Sequence, residues 1–323
     1  MHSDSQGSDV SGPGRIVALG GGHGLAASLQ ALRRVSQHIT AIVGVADDGG
    51  SSGRLRAQFG ILPPGDLRMA LAAMCSSDPS AQAWADVLQY RFSGSGDLAG
   101  HAVGNVLMAA LWQQRGDPVA GLDELAALVG AVGRVLPCSV DPLEIVAEIR
   151  GHDPRRPDDV CVVRGQVEIA TTAGRVLRVW LDPASARVCP QAIEAICAAD
   201  AIVLGPGSWF TSLMPHLVLP GLAEAVASSD ARKVLVLNLD PQQGETGGFS
   251  PAEHIKAILE QAPSMNFDVV IADAGHVGGD LSLRDLRDAC QSWDGELLLA
   301  DVAGSGDRHD PDKLAAVFDT VLA

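Results

Sequence analysis

The chain has 323 residues, of which 47% are hydrophobic, so it is long and apolar enough to bury a large core in one or two domains. Its formal net charge of −16 argues against nucleic acid or an anionic membrane as a partner, because both require a basic face. Aromatic residues make up only 4% of the chain, which also argues against a stacking platform for single-stranded nucleic acid.

From residue 15 onward, short apolar runs alternate with helical patterns. The first part predicts two strands, at 15–19 and 39–45, which are separated by a loop at 20–24 and a helix at 25–35. Four more helices are expected after these elements, at 66–75, 81–90, 104–114 and 122–129. The alternation resumes in the second half, with strands at 201–204, 233–237, 268–272 and 296–300 and helices at 191–198, 222–227, 252–259 and 311–322.

The middle segment, about 135–182, has a different character. Stretches at 143–149, 160–169 and 175–181 carry β-branched residues, with turns at Gly165 and at 173–174, which is typical of an antiparallel insertion or edge. We therefore expect one α/β domain over residues 15–323. Its sheet should be doubly wound, mainly parallel and Rossmann-like, with helices on both faces and this insertion in the middle.

The N-terminal segment and the cysteines indicate where the protein resides. Residues 1–14 are polar and rich in glycine and serine, and we expect a disordered tail rather than a signal peptide. No segment is apolar and long enough to span a bilayer, so integral membrane association is not expected. The six cysteines form no CxxC pair and resemble small buried side chains in a reducing compartment. These features predict a cytoplasmic protein.

The most informative stretch is ADDGGSSGRLR at 46–56, which follows an apolar run that predicts a buried parallel strand. Open α/β sheets bind ligands outside the carboxyl ends of their strands. Glycines allow a ligand to approach the backbone, hydroxyls and amides hold phosphate oxygens, and arginine grips phosphate with a bidentate fork. The stretch therefore indicates a phosphate-bearing ligand, whereas the structural alternative is a polar turn leading into a helix.

The loop GGGHG at 20–24 lies between the first strand and the first helix, where free backbone N–H groups form an anion site. Residues 22–27 also fit the loose dinucleotide fingerprint G-x-G-x-x-A, and Asp47 lies near the place of a ribose-binding acid. A nicotinamide-dependent oxidoreductase is therefore one alternative. Against it, a ribose site needs only one acid, and no hydride-transfer constellation is evident.

Two further motifs place polar side chains near the starts of helices. In PPGDLR at 63–68, Asp66 suits a helix N-cap, although a functional role is equally expected. Arg68 would fall in the first turn, where a cation opposes the helix dipole, so it indicates an anionic partner. In GHAVGN at 100–105, His101 and Asn105 are spaced i, i+4 and would share one side of a helix.

A second glycine-rich loop, GPGSWFTS at 205–212, follows the strand expected at 201–204 and carries three hydroxyls. The two halves of a doubly wound sheet meet at its switch point, so we expect this loop to face the 20–24 loop across a crevice. Asn238 ends the next strand, and QGET at 243–246 follows in the same kind of loop. The chain has no G-x-S-x-G elbow and no H-E-x-x-H motif, so covalent hydrolase chemistry has no support.

Taken together, these loops resemble the CofD-like family, and most closely its YvcK (gluconeogenesis factor) branch. The resemblance covers nearly everything from residue 15 onward and implies a Rossmann-like fold and a homo-oligomer. The loop near residue 240 and the glycine-rich segment 274–280 depart most from the family pattern. The matching motifs are ALGGGHG at 18–24, VADDGGSSGRLR at 45–56, PPGDLR at 63–68, GHAVGN at 100–105, GRVLP at 133–137, GPGSWFTS at 205–212, QGET at 243–246 and RHD at 308–310.

The two lines of this family imply different functions. YvcK-type proteins are associated with cell shape and cell-wall synthesis during growth on gluconeogenic carbon sources, and they bind UDP-sugars, notably UDP-N-acetylglucosamine. CofD proteins are metal-dependent transferases that move a phospholactyl group from a nucleotide-activated donor. The resemblance implies the first function, a cytoplasmic regulator of cell-wall precursor supply with cell-wall synthesis proteins as partners. The alternative is the CofD-type transferase.

The resemblance also implies roles for individual residues, and no catalytic residue is expected. The glycine loops would hold the diphosphate, and Arg54, Arg68 and Arg308 would supply positive charge. Asp47 and Asp48 would accept bonds from ribose or sugar hydroxyls, or hold Mg²⁺ together with the diphosphate. The expected ligand-binding residues are Gly21, Gly22, His23, Gly24, Asp47, Asp48, Gly49, Gly50, Ser51, Arg54, Asp66, Arg68, His101, Asn105, Gly205, Pro206, Gly207, Ser208, Thr211, Ser212, Asn238, Glu245, Thr246 and Arg308.

Overall fold

A computed structural model describes residues 14–242 and 244–323, so the expected tail at 1–14 lies outside the described residues except for Gly14. The strands are β1 Ile16–Gly20, β2 Ile39–Val43, β3 Arg134–Pro137, β4 Glu144–Arg150, β5 Val160–Arg164, β6 Arg175–Asp182, β7 Ala201–Leu204, β8 Arg232–Val236, β9 Val269–Asp273 and β10 Glu296–Ala300. The α-helices are α1 Gly22–Leu32, α2 Gly50–Phe59, α3 Pro64–Met74, α4 Pro79–Gln89, α5 Val103–Arg115, α6 Pro118–Leu128, α7 Gln166–Ala170, α8 Pro190–Cys197, α9 Met214–Val218, α10 Leu222–Ser228, α11 Pro251–Gln261, α12 Asp280–Gln291 and α13 Pro311–Val321. A π-helical turn, Trp209–Leu213, precedes α9.

Seven strands form one sheet in the order β10-β9-β8-β7-β1-β2-β3, and every neighbouring pair is parallel. All residues of β1 and β7 are buried, and successive side chains of a strand point to opposite faces, so both faces of the sheet centre are covered. The strand order reverses between β1 and β7, which makes this the switch point of a doubly wound sheet. The expected Rossmann-like α/β fold is confirmed.

The β-rich insertion forms a separate antiparallel sheet in the order β5-β4-β6. Its start was placed too early, because β3 pairs with β2 in the main sheet. The turn expected at Gly165 is confirmed, since β5 ends at Arg164 and Gly165 has φ +93°. Glycine adopts this positive φ without strain, which explains why the strand ends and the chain turns at this residue. The rest of the stretch expected at 160–169 is not a strand, because Gln166–Ala170 forms α7.

Two long helices were not expected from the sequence. α2 begins with Gly-Ser-Ser-Gly, which are poor helix formers, and it is held by packing that buries Ser51, Ser52 and Leu55. α12 is rich in charged residues and buries only a narrow stripe that includes Leu286, Ala289 and Cys290. In both cases tertiary packing, rather than intrinsic propensity, decides the conformation.

The structure also bears on the expectations about membranes and cysteines. Among residues 14–242 and 244–323, no single helix is long and apolar enough to cross a membrane. Two helical segments, Trp209–Val218 and Leu222–Ser228, are together long and apolar enough, but the chain bends by 77° between them. All six cysteines are free. Four are buried as expected, but Cys161 and Cys197 are exposed.

Candidate functional site

The two glycine-rich loops meet at the switch point, as the sequence predicts. A Cβ at Gly24 would clash with the Pro206 carbonyl and lie 2.8 Å from the Gly207 Cα, so only glycine allows the loops to pack this closely. The Ser28 hydroxyl donates a hydrogen bond to the Gly205 carbonyl oxygen at 2.7 Å. The start of α1 and the end of β7 therefore form one continuous wall of backbone at the edge of the sheet.

Asn238, at the end of β8, fixes this wall. Its side-chain oxygen accepts from the Gly207 N–H at 3.0 Å, and its amide donates to the Gly207 carbonyl oxygen at 2.8 Å. Both polar ends of the side chain are thus used to hold the loop. The contacts give Asn238 a positioning role one strand away from the switch point.

Asp66 lies against the N-terminus of α1 rather than capping its own helix. α3 has Pro63 as its N-cap residue and Asp66 as its third residue, so the expected N-cap role is wrong. The carboxylate accepts a hydrogen bond from the Gly22 N–H, and a Cβ at Gly21 would lie 2.5 Å from its Oδ2. Burial, followed by the charge of Asp47, raises the pKa of Asp66 to about 7. Near neutral pH this carboxyl group therefore exists in both protonation states.

Asp47 and Asp48 point to different places. The Asp47 carboxylate accepts from the Gly49 N–H at 2.9 Å and faces Asp66, which is near enough for its charge to raise the pKa of Asp66. Asp48 instead accepts from the Val167 N–H at 3.1 Å, at the start of α7 in the insertion. The acid that the structure brings to Asp47 is thus Asp66, whereas Asp48 joins the cleft loop to the insertion. No group of three or more His, Cys, Asp or Glu side chains suited to a metal occurs within the described parts of the chain.

Arg68 is buried, with only 4% of its surface exposed. It is the fifth residue of α3, past the first turn, so the expected conflict with the helix dipole does not apply. One terminal nitrogen donates to the Gln89 side-chain oxygen, while Nε is buried without a partner. Burial, followed by the charge of Arg91, lowers the pKa of Arg68 to about 10. A buried cation with an unused donor suits an anionic ligand better than it suits a structural role.

His23 and Arg308 complete the positive side of the cleft. Burial lowers the pKa of His23, and the charges of Arg308 and Arg68 lower it further, so these three side chains lie near one another. Arg308 is exposed in the turn between β10 and α13, where its carbonyl accepts from the Gly304 N–H at 2.8 Å. Asp273, at the end of β9, anchors this turn by accepting from the backbone of Val302 and the next residue.

A polar network lies at the start of α5. The Ser51 hydroxyl is 2.9 Å from His101 Nδ1 and accepts from the Asn105 amide at 3.0 Å, so the i, i+4 pair does meet on one side. The Asn105 side-chain oxygen is buried without a partner. Burial, followed by the charges of Arg54 and Arg91, lowers the pKa of His101. The network is therefore neutral and surrounded by arginines.

Arg91 was missed in the sequence. It lies between Tyr90 and Phe92, whose rings contact each other edge to face, and it pairs with Ala102 in an isolated bridge. Successive residues of an extended segment point to opposite sides, so the two rings on one side place Arg91 on the other. The Tyr-Arg-Phe pattern before the GHAVGN motif was the signal that could have identified it.

Several other expected residues are used inside the protein. Glu245 is buried and accepts from the Phe210 N–H at 2.9 Å and from the Thr211 hydroxyl, which holds the start of the π-helical turn, and burial raises its pKa. The Thr246 hydroxyl accepts from the Gln242 N–H at 2.9 Å. The Ser212 carbonyl oxygen lies 3.0 Å from a ring nitrogen of the buried His216. These contacts explain the residues by structure alone.

Two cavities lie outside the cleft. One, of about 440 Å³, is lined by Glu148, Arg178 and Trp180 beside the small sheet. The other, of about 350 Å³, is lined by Arg175 and Phe249 among others. The second cavity is also lined by Glu245, but neither contains a residue of the first glycine-rich loop, Arg68 or Arg308. The chemistry of the side chains, rather than cavity size, therefore identifies the cleft as the candidate site.

The chain is similar to known proteins over most of its length. A family model described as 2-phospho-L-lactate transferase CofD matches residues 16–297. A Mycobacterium tuberculosis (strain H37Rv) protein named "Putative gluconeogenesis factor" is 51% identical over 311 residues, which is 95% of this chain and 90% of the relative. The gluconeogenesis factor of Bacillus subtilis (strain 168) is 36% identical over 270 residues, or 84% of this chain and 82% of the relative. A crystal structure of a UPF0052-family protein from Bacillus halodurans superimposes with a TM-score of 0.83 at 32% identity, covering 94% of this chain and 98% of that one.

Proposed function

The chain belongs to the CofD family, in the branch whose members are named gluconeogenesis factors, and from this premise we propose that it binds a UDP-sugar in the cleft at the switch point. In this proposal the ligand is a signal rather than a substrate. The protein senses a nucleotide sugar such as UDP-N-acetylglucosamine in the cytoplasm and adjusts the supply of cell-wall precursors, and so cell shape, during growth on gluconeogenic carbon. Its partners are proteins of cell-wall synthesis and further copies of itself.

The observation that carries the proposal is that Arg68 and Arg308 both lie near enough to His23, in the first glycine-rich loop, for their charges to act on it. A diphosphate has one negative charge on each phosphate and accepts hydrogen bonds on all sides. The first backbone N–H groups of α1 and two guanidiniums would satisfy it there. A neutral ligand would leave the partnerless nitrogen of Arg68 unused.

The acidic side of the cleft suits the rest of such a ligand. Asp47 lies beside the glycine-rich start of α2, where a carboxylate can accept from ribose or sugar hydroxyls. Asp48 acts on the same loop through the insertion, because it holds the start of α7. We assign Asp47 to ligand contact and Asp48 to positioning the loop.

The test is a calorimetric titration of the purified protein with UDP-N-acetylglucosamine, with UDP-glucose, GTP and NAD as comparators, with and without Mg²⁺. Micromolar binding that is selective for UDP-sugars, with the ligand recovered unchanged, is the expected result. Binding of GTP in the presence of Mg²⁺, with no heat from any UDP-sugar, would contradict the proposal. Binding of NAD alone would favour an oxidoreductase instead.

One observation favours a second candidate, a CofD-type transferase. Asp47 and Asp66 lie close enough for the charge of one to raise the pKa of the other. Two neighbouring carboxylates fit Mg²⁺, which takes one or two carboxylates together with water and substrate phosphates. The metal would neutralise the charge that develops on a leaving diphosphate. Incubation with a nucleotide-activated donor, an acceptor and Mg²⁺, followed by mass spectrometry, distinguishes the two, since only the transferase consumes the donor.

A further inference from the structure

Three arginines gather around the backbone that leads into α5. Arg54 donates from Nη2 to the Ala99 carbonyl oxygen at 2.8 Å, and Arg91 donates from Nη1 to the Gly100 carbonyl oxygen at 2.9 Å. Arg68 is buried beside them, and its charge interacts with that of Arg91. In residues 14–242 and 244–323, none of these three guanidiniums forms an ion pair with a carboxylate within 4.0 Å, although the charges of Asp66 and Asp47 act on Arg68 from farther away.

Of the three guanidiniums, that of Arg68 depends most on an anion. Arg54 and Arg91 are exposed to solvent, whereas Arg68 is buried, where repulsion from the charge of Arg91 is screened least. The chain has 39 acidic residues and a net charge of −16, so carboxylates are abundant elsewhere. The Nε donor of Arg68 is also buried without a partner. A buried polar atom without a partner marks the place of a missing polar group.

The diphosphate of the proposed ligand does not account for all of this charge. Its two phosphates match Arg68 and Arg308, which lie with His23 beside the glycine-rich wall. Arg54 and Arg91 remain, on the side of the cleft that α2 and α5 form. Their charges act on His101 rather than on His23, so they belong to a different part of the cleft.

We propose that Arg54 and Arg91 form a second anion subsite that binds a carboxylate on the group attached to the diphosphate, with Arg68 shared between the two subsites. The planar guanidinium binds a carboxylate through two parallel N–H bonds, which a sugar hydroxyl cannot replace. The subsite makes the protein selective for an acidic nucleotide sugar over its neutral counterpart. This inference rests on the proposed function, because it requires a nucleoside diphosphate in the first subsite.

Matched pairs of ligands test the subsite. UDP-glucuronate differs from UDP-glucose only in having a carboxylate in place of the hydroxymethyl group. UDP-N-acetylmuramate differs from UDP-N-acetylglucosamine by a lactyl ether that ends in a carboxylate. In calorimetry at fixed ionic strength, we expect the acidic member of at least one pair to bind about tenfold tighter or more, as for a charge-assisted hydrogen bond.

Variants then assign the preference to residues. Arg91→Gln and Arg54→Gln should each reduce the preference for the acidic member, measured as the ratio of the two dissociation constants within the same variant. Arg91→Lys should retain part of the preference, because lysine keeps the positive charge but cannot donate two parallel N–H bonds to a carboxylate. Arg287→Gln, at an exposed position of α12, is the control for loss of one positive charge and should behave like the wild type. Thermal unfolding of each variant checks that the fold is unchanged.

The outcomes separate the two proposals. Binding of the neutral UDP-sugars with no gain for either acidic partner overturns the carboxylate subsite and leaves the proposed function standing. A gain that persists unchanged in both glutamine variants overturns the assignment to Arg54 and Arg91. Failure of all four UDP-sugars to bind overturns both proposals.

Discussion

The protonation state of Asp66 distinguishes the two candidate functions. The carboxyl group lies at the N-terminus of α1 and has a pKa of about 7, raised first by burial and then by Asp47. With that pKa it is about 90% protonated at pH 6 and about 10% protonated at pH 8. A diphosphate at the start of α1 favours the protonated form, because a second negative charge there is repelled. A divalent cation held by Asp66 and Asp47 favours the ionised form.

The two cases predict opposite changes of affinity with pH. If the ligand binds only the protonated form, its apparent dissociation constant rises by about tenfold from pH 6 to pH 8. If Mg²⁺ binds only the ionised form, Mg²⁺-dependent affinity increases by about tenfold over the same range. Titration calorimetry at several pH values, in buffers of different ionisation enthalpy, measures both the affinity and the protons taken up or released. The diphosphate of a nucleotide sugar stays ionised throughout this range, so titration of the ligand itself does not change the affinity.

The control is Asp66→Asn, which keeps the shape of the side chain and removes its titration. In this variant the pH dependence of affinity that is due to Asp66 should vanish. Any pH dependence that remains is caused by other groups such as His23. The pKa itself can be checked without ligand. Because the folded-state pKa lies above the unfolded value of 3.8, ionisation of Asp66 lowers the stability of the wild type relative to that of the variant as pH rises from about 4 to 7. The reasoning would be refuted if wild type and variant showed the same pH dependence of ligand affinity and the same pH dependence of stability without ligand.

Three further predictions concern single positions. Arg308→Ala should weaken UDP-sugar binding by about 10- to 100-fold in calorimetry while the melting temperature stays the same, because the side chain is exposed; an unchanged dissociation constant removes it from the site. Gly24→Ala should destabilise the fold by about 1–3 kcal/mol in urea titration, because its Cβ meets the Pro206 carbonyl, and a wild-type midpoint would contradict that close contact. Glu245→Gln should cost about 1–2 kcal/mol of stability and leave ligand affinity unchanged; a selective loss of affinity would return Glu245 to the binding site.

The place of the candidate site could be predicted from the sequence, because it depends on the topology of the sheet. All seven strands of the main sheet are parallel, so every loop that follows a strand reaches the same edge. The loops at 20–24 and 205–212 follow the two strands that flank the switch point, and they meet there. A motif placed after a strand could therefore be located before its side-chain contacts were known.

The contacts of individual side chains could not be predicted from the sequence in the same way. Asp48 and Glu245 were expected to contact the ligand because they stand in the same motifs as the glycines. Asp48 turns to α7, and Glu245 turns to the start of the π-helical turn, in each case because a segment distant in sequence offers unpaired backbone N–H groups. Such choices depend on packing between segments, which local spacing does not encode. For the same reason Arg91 acquires its significance only when the chain folds back beside Arg68.

The net charge of the chain and the charge of the cleft lead to different conclusions. A value of −16 argues against polyanionic partners, whose many phosphates would lie against the acidic surface. A small anion in the cleft instead experiences mainly the nearest groups, since exposed charges beyond about 8–10 Å are largely screened at physiological salt. Among those nearest groups is Arg68, which is buried with an Nε that has no partner, while the charges of Asp66 and Asp47 also act on it. A buried guanidinium with an unused donor is the strongest physical argument that an anion is the natural occupant of the cleft.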